Sequence, residues 1–187
     1  QAELEARDYP GHYYRVAFHS TTVAELDEAA SSGSGNIYIE TTRPELIASV
    51  CALIAHPDDD RYRHLFGTTV TSPVFGVEIP VLAHPMAEPD KGAGIAMCCT
   101  FGDLTDVTWW RELRLPMRTV IGRDGRLHAE TPEWLANPEP YAELAGKTTF
   151  GAREAMVALL RAAGDLDALR HPLGAHRPEL RRTGFDV

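Results

Sequence analysis

Short strand-like runs, each interrupted by glycine or proline, fill most of the first hundred residues of this 187-residue chain. Runs of this kind favour a curved sheet, because glycine and proline allow bends and bulges. The small polar run SSGSG (31–35) predicts a hairpin-type loop, and Asp124-Gly125 predicts a later hairpin. The strand-like runs are YYRVAFH (13–19), NIYIET (36–41), VCALIAHP (50–57), TTVTSP (68–73), VEIPVLAH (77–84) and GIAMCCT (94–100). We therefore predict a barrel-like, largely antiparallel sheet.

Helical patterns dominate the later part of the chain. Residues 104–115 have apolar spacing suited to a helix. Residues 151–165 place apolar side chains three and four apart and end near Gly164, a typical helix stop. A shorter helix is predicted over 58–67, with aspartates at its start and Gly67 as its stop. The expected fold class is α+β, with helices flanking the sheet.

Length and composition predict one domain over residues 1–187. With 44% hydrophobic residues, the chain can bury one well-packed core. It begins at Gln1 rather than methionine, so we expect a domain excised from a larger chain, and the sequence shows no secretory or membrane-spanning run. Three cysteines in no disulfide or zinc spacing favour a reducing compartment, the cytoplasm. The net charge of −9 means that nucleic-acid binding needs a local basic face or another domain.

Several familiar motifs are incomplete. AGKTT (145–149) resembles the end of a phosphate-binding loop, but Tyr141 stands where that motif needs a glycine. GAG (92–94) fails as a dinucleotide fingerprint, because Met97 occupies the third glycine position. The eight histidines are scattered, and no Ser-His-Asp or Cys-His set is marked by local sequence. We expect no metal and no cofactor in this domain.

The stretch ETTRPE (40–45) has two interpretations. Thr42 and Glu45 fit a capping box, in which the hydroxyl caps a helix and the carboxylate reaches back. Pro44 favours the other interpretation, because it suits a first helical position and keeps the preceding residue out of the helical region. Arg43 is then the cap, and Thr41 and Thr42 stay at the strand end, free to face a pocket.

A second group of polar residues lies in KGAGIAMCCTFGDLTD (91–106). Asp103 can cap a helix starting at Leu104, which puts Asp106 in its first turn. A carboxylate fixed at a helix start is rigid and can still offer an oxygen to a ligand. Backbone amides near Gly92 and Gly94 could bind an oxyanion or phosphate, or the glycines could form only a turn.

These blocks together resemble a known family. TTRPE, HPDDDRYRHLFG, VEIPVLAH, GAG and the closing pair Asp103 and Asp106 follow the order and spacing of the editing domain inserted in valyl-tRNA synthetase, over about residues 1–180. The leucyl and isoleucyl editing domains are similar too, but RPE with DDDRY points to the valyl branch. The resemblance implies the class I synthetase editing-domain fold. It also implies two partners, the 3′ end of a mischarged tRNA and the remainder of the synthetase chain, and no membrane.

The resemblance implies post-transfer editing, which is hydrolysis of threonine wrongly esterified to the valine tRNA. Asp106 would anchor the substrate's α-ammonium group, and Asp103 would accept a hydrogen bond from the threonine hydroxyl. Because an aminoacyl ester is already activated, a positioned water and oxyanion donors suffice, and no protein nucleophile is needed. The implied catalytic residues are Asp106, Thr42 and Thr41, and the implied substrate-binding residues are Arg43, Asp103, Gly92 and Gly94.

Three positions depart from the valyl pattern. Leu46, Met97 and Cys99 stand where that pattern has a threonine, a lysine and a threonine, and CTFGD replaces TPAHD in a form closer to the isoleucyl one. Three alternatives therefore stay open: an isoleucyl- or leucyl-type editing domain, a catalytically decayed module that positions tRNA, and a hydrolase of another substrate.

Overall fold

The computed structural model describes residues 12–20 and 35–172. Within these residues, seven strands form one sheet, and two α-helices and three short 3-10 helices pack around it. The strands are β1 (His12–Ser20), β2 (Asn36–Thr41), β3 (Ala52–Ala55), β4 (Thr69–Thr71), β5 (Glu78–Ala83), β6 (Ile95–Cys98) and β7 (Leu166–Pro172). The α-helices are α1 (Leu104–Glu112) and α2 (Thr149–Ala163), and the 3-10 helices are Pro44–Ser49, Arg63–Leu65 and Glu139–Glu143.

The sheet runs in the order β2-β1-β4-β5-β3-β6, with β7 also paired to β1. Its two end strands, β2 and β6, lie close together without a ladder between them among the described residues, so the sheet is a nearly closed barrel. All pairs of the described strands are antiparallel except β3 with β5. After β3 the chain forms β4 and then reverses direction into β5. As a result, β5 runs in the same direction as β3. The predicted fold class is confirmed.

The core fills the barrel and the space beneath α2. β3 is buried along its whole length, as the run 50–57 predicted, whereas β2 alternates and sends Ile37 and Ile39 inward. Helix α2 buries a stripe against the same cluster: Ala152, Met156 and Leu160. Each large apolar side chain buried in this way contributes on the order of 1.5–3 kcal/mol of transfer free energy.

Helix α2 has capping groups at both ends. The Thr148 hydroxyl accepts from the Gly151 amide at 3.2 Å, and Gly164 closes the helix with a φ of 78°. The stop at Gly164 is confirmed, and the helix starts two residues before the predicted range. No helix in the described part of the chain is both long and apolar enough to cross a membrane.

The helix predicted over 58–67 is wrong in most of its length. Only Arg63–Leu65 forms one 3-10 turn, and Gly67 follows with a φ of 84°. The Asp59 carboxylate pairs with Arg61 instead of capping a helix. This side-chain pair competes with helix formation, as short acidic residues often do.

The hairpin predicted at Asp124-Gly125 is reduced to its turn. The Gly122 amide donates to the Arg126 carbonyl at 2.8 Å, and a single bridge joins Ile121 to Leu127 without forming strands. The loop predicted at 31–34 lies outside the described residues, although β1 and β2 on either side of it do pair antiparallel.

Strand β7 was not predicted, because its sequence LDALRHP lacks β-branched and aromatic residues. It becomes a strand by pairing with β1, which overrides its weak propensity.

Candidate functional site

A cleft of about 290 Å³ opens between β2 and β6, where the barrel fails to close. Edge strands leave backbone groups unpaired, so such a seam can bind a ligand. The cleft is lined by all seven residues predicted for the site, which are separated by up to 65 positions in the sequence: Thr41, Thr42, Arg43, Gly92, Gly94, Asp103 and Asp106.

The first wall is the stretch Thr41–Arg43. Arg43 precedes the 3-10 helix with Pro44 at its first turn, as predicted. No described side chain caps that helix, so the capping-box interpretation is wrong. The Thr41 hydroxyl oxygen accepts from the Arg43 amide at 3.0 Å, which leaves its proton available for donation. The Thr42 hydroxyl makes no hydrogen bond within residues 12–20 and 35–172. Two hydroxyl donors are therefore available at the cleft.

Glu45 lies behind this wall and is fully buried. Arg153 of α2 binds it with two hydrogen bonds of 3.0 Å, and Arg43 donates a third at 3.3 Å. A second arm of Arg43 donates to the Gly102 carbonyl at 2.9 Å. Much of the Arg43 guanidinium is thus engaged within the protein, although its side chain still lines the cleft.

The second wall is the start of α1. The Asp103 carboxylate caps this helix by accepting from the Asp106 amide at 2.9 Å, which confirms the predicted cap. Asp106 is buried, and its Oδ2 accepts from the Cys99 amide at 3.3 Å. Burial and then the neighbouring Asp103 charge raise the pKa of Asp106 to about 6, against the opposing effect of backbone donors and Arg43. Asp106 is still mostly ionised at neutral pH.

Gly102 lies in close contact with Asp106. A Cβ at this position would overlap the Asp106 Oδ2, because the Gly102 backbone lies directly against that carboxylate. The absence of a side chain at residue 102 therefore allows the loop to pass over the carboxylate.

The third wall is the turn Gly92–Gly94. Both glycines have positive φ, 57° and 79°, which favours glycine at each position. The Gly94 amide donates to the Lys91 carbonyl at 2.9 Å. It is therefore not available to an oxyanion or phosphate, which corrects the prediction for this residue. The Gly92 amide has no acceptor within the part of the chain that the structure describes. Of the two glycines, only Gly92 offers a backbone donor.

The segment Asp59–Tyr62 holds this turn from outside. Arg61 forms two hydrogen bonds with Asp59, at 2.9 and 2.6 Å, and donates to the Pro89 carbonyl at 2.8 Å. The Tyr62 hydroxyl donates to the Ala93 carbonyl at 2.6 Å. The DDDRY motif thus acts on the cleft by fixing a loop rather than by lining it.

The three departures from the valyl pattern all lie at the cleft, which Leu46, Met97 and Cys99 line with apolar or weakly polar atoms. The Cys99 thiol is buried, and burial raises its pKa well above its ordinary value. It remains a neutral thiol at physiological pH, so this part of the cleft carries no charge of its own.

Sequence reasoning missed five polar residues that line the cleft, namely Tyr13, Glu40, Glu88, Lys91 and Thr105. Alternation along β2 puts Glu40 on the face opposite Ile39, so the sequence pattern gave no signal that Glu40 lines the cleft. Among the described residues, no group of three or more His, Cys, Asp or Glu side chains is arranged to hold a metal ion.

Comparisons with known proteins agree with this fold. No protein-family profile matches the chain. It is 58% identical to valine–tRNA ligase of Cutibacterium acnes over 99% of its length and 20% of that enzyme. It is 56% identical to valine–tRNA ligase of Leifsonia xyli over 92% of its length and 20% of that enzyme. The chain therefore spans about a fifth of the length of the curated relatives it matches.

Two solved structures have the same fold. The crystal structure of GlLeuRS-CP1 superposes with a TM-score of 0.58 at 13% identity, over 86% of this chain and all of that one. A ternary complex of Agrobacterium radiobacter LeuRS with tRNA and LeuAMS gives 0.56 at 17% identity, over 83% of this chain and 20% of that one. The fold is that of the CP1 editing domains of aminoacyl-tRNA synthetases. Within that class, the chain is homologous to one segment of valine–tRNA ligase.

Proposed function

We propose that this domain hydrolyses the ester of a mischarged aminoacyl-tRNA, with threonine on the valine tRNA as its substrate. The main support for this proposal is the cleft, in which a buried carboxylate, two hydroxyls and a backbone amide surround one space. The homology to valine–tRNA ligase supports the choice of tRNA. The remainder of the synthetase is the proposed covalent partner, since the chain matches only 20% of its relatives' length.

Asp106 binds the α-ammonium group of the esterified amino acid in this proposal. Its carboxylate is held by the Cys99 amide and by the Gly102 backbone, so its position is fixed before substrate arrives. A buried carboxylate gains a counter-charge when an ammonium group binds, which offsets the cost of its burial. Every α-amino acid ester carries this group, so Asp106 supplies binding and orientation but no side-chain selectivity.

The reaction is addition of water to the ester carbonyl carbon, followed by cleavage of the bond to the ribose oxygen. The ribose oxygen takes up a proton, and the products are the free amino acid and uncharged tRNA. The developing oxyanion needs donors, and the available ones are the Thr41 and Thr42 hydroxyls and the Gly92 amide. The ester needs positioning more than chemical activation, because it is a reactive group.

Selectivity for threonine is assigned to Asp103. It is exposed on the rim of the cleft, and only one of its oxygens, Oδ1, caps the helix. The other oxygen can accept a hydrogen bond from the threonine hydroxyl. Valine lacks that hydroxyl, and a site built around a hydrogen bond discriminates against the analogue that cannot form it.

The second candidate is a domain that positions tRNA without hydrolysing its ester. It is favoured by Leu46 and Met97, which supply apolar atoms to the cleft where the valyl pattern has polar side chains. The net charge of −9 favours tRNA affinity supplied mainly by the rest of the synthetase in either case.

Deacylation of threonyl- and valyl-tRNA for valine tests both candidates. The chain, alone and within the full-length synthetase, is incubated with each ester, and release of the amino acid is followed over time. The proposed function predicts faster release of threonine than of valine. Equal, uncatalysed release in both forms of the protein, with retained tRNA binding, would instead identify a positioning module.

A further inference from the structure

Helix α2 does not line the cleft, yet it is connected to it through a series of charged contacts. Arg153 occupies both oxygens of Glu45 through Nε and Nη2, each at 3.0 Å. Glu45 is separated from Arg153 by 108 positions in the sequence and is fully buried. The Glu45 Oε1 also accepts from Arg43 Nε at 3.3 Å. One carboxylate thus joins an arginine of α2 to an arginine of the cleft.

Arg43 continues the series toward the acidic residues. Its Nη1 donates to the Gly102 carbonyl at 2.9 Å, and the Gly102 backbone contacts the Asp106 carboxylate. Gly102 also immediately precedes Asp103. One hydrogen bond from Arg43 therefore holds the loop that leads into α1, beside the Asp106 carboxylate.

We propose that Arg153 is a positioning residue of this site: by satisfying Glu45, it leaves Arg43 free to hold the Gly102 carbonyl and so fixes Asp103 and Asp106. The catalytic meaning of this inference rests on the proposed function, but the contact series can be tested without activity.

The physical reason is the charge of Glu45. Without Arg153, the fully buried Glu45 carboxylate retains a single donor among the residues that the structure describes, the Arg43 Nε at 3.3 Å. A buried ionised group needs full pairing, and Arg43 is the other cation that contacts Glu45 in the described part of the chain. Arg43 can supply a second hydrogen bond to Glu45 from Nη2, which lies on the same side of the guanidinium as Nε. Moving the guanidinium toward Glu45 to form this pair draws Nη1 away from the Gly102 carbonyl. The loop then loses its tether, and Asp106 loses the fixed backbone around it.

The test compares Arg153→Met with Arg161→Met, which removes an exposed arginine of the same helix. Amide hydrogen exchange is measured by NMR at Gly102 and Cys99, with the core residue Val81 as the reference for global opening. We expect exchange at Gly102 and Cys99 to accelerate by about 10-fold or more beyond any change at Val81. Arg161→Met should leave all three unchanged.

Activity supplies the second measurement. In Arg153→Met, kcat for threonyl-tRNA should fall by about 10- to 100-fold with a smaller change in KM. The reason is that a poorly oriented ester still binds but is hydrolysed more slowly once bound. Equal acceleration of exchange at Gly102, Cys99 and Val81 would overturn the proposal, since that result indicates a purely structural role. If the wild-type chain hydrolyses no ester, the proposed function fails, and the exchange data still decide whether Arg153 fixes the loop.

A double variant covers the case in which Arg153→Met does not fold. Glu45→Gln with Arg153→Met removes the buried charge together with its partner, so Arg43 is no longer drawn from Gly102. We expect this variant to fold and to regain protection at Gly102. Continued rapid exchange at Gly102 in the double variant would show that Arg153 acts by another route.

Discussion

The cleft has two sides that are built by different means. The first and second walls, Thr41–Arg43 and Asp103–Asp106, together form one side, the acidic wall. It is held by the fully buried Glu45 carboxylate and by two arginines, Arg43 and Arg153. The glycine wall, Gly92–Gly94, is held by positive φ angles and by Arg61, whose side chain is 54% exposed. One side depends on charges in the protein interior, and the other on backbone shape.

This difference separates two kinds of sensitivity. A change in the acidic wall alters charge balance in a region of low dielectric constant, so it should affect activity, pH response and stability together. A change in the glycine wall alters only the path of the backbone, so it should act through stability and fit.

Asp106→Asn should have the largest effect. The amide keeps the shape of the carboxylate but cannot pair with an ammonium group, so kcat/KM should fall by about 100-fold or more for every aminoacyl ester. Measured rates for threonyl- and valyl-tRNA test this, with Asp124→Asn as a control in an exposed turn. A loss confined to threonine would assign Asp106 to side-chain recognition instead.

Asp103 should separate the two substrates. Asp103→Ala removes a charge-assisted hydrogen bond and should slow threonyl-ester hydrolysis by roughly 10- to 150-fold, while the valyl ester changes little. It also removes the cap, at a cost of about 1 kcal/mol in the free energy of unfolding.

Asp103→Ser is the matched control, because serine preserves a cap and lacks the carboxylate. Rates and melting temperatures of both variants identify the role. If serine restores both stability and the threonine preference, Asp103 acts only as a cap.

The stability of the acidic wall should depend on pH. The pKa of Asp106 is raised from 3.8 to about 6, so the folded state binds this proton more tightly than the unfolded state does. The resulting stabilisation is present below pH 3.8 and is lost as pH rises through about 6. Each pKa unit corresponds to about 1.4 kcal/mol, so the loss is about 3 kcal/mol.

Urea unfolding of the wild type and of Asp106→Asn across pH 4–8 measures this loss. The difference between the two free energies of unfolding should change in favour of the Asn variant as pH rises. A difference that stays constant over this interval would show that the Asp106 carboxyl titrates alike in the folded and unfolded states.

The glycine wall should show a smaller, purely steric effect. In Gly94→Ala, the new Cβ would overlap the Arg61 guanidinium and lie 2.6 Å from the Pro89 carbonyl. Gly146→Ala is the matched control, because Gly146 has a φ of 70° and nothing within 4 Å of a Cβ.

Both substitutions carry the cost of a positive φ, so their difference isolates the crowding. We expect Gly94→Ala to be less stable than Gly146→Ala by about 1–2 kcal/mol in urea unfolding. Equal stabilities would mean that the loop moves aside freely and that the glycine wall is not rigid.

Local chemistry made part of this site predictable. Pro44 and the Arg43 cap, the Asp103 cap and the Gly164 stop all follow from rules that act within a few residues. Thr41 also lies at the strand end where the sequence placed it. These features need no knowledge of the rest of the fold.

Long-range contacts were not predictable from the sequence. The pairing of Glu45 with Arg153 spans 108 positions, and Glu45 also fits a local capping pattern that the structure does not use. Likewise, β7 forms only because β1 offers it a pairing edge, and Asp59 leaves its predicted helix to bind Arg61. In each case a tertiary partner overrides a local preference.

Residue 102 carries an evolutionary consequence. Its backbone lies against the Asp106 carboxylate with no room for a Cβ, so even alanine there must displace the acidic group or the loop. If Asp106 has its proposed role, a lineage can lose that role through one substitution at residue 102, while the Asp106 codon itself stays unchanged. Surveys of natural variation that score only charged positions would overlook such alleles.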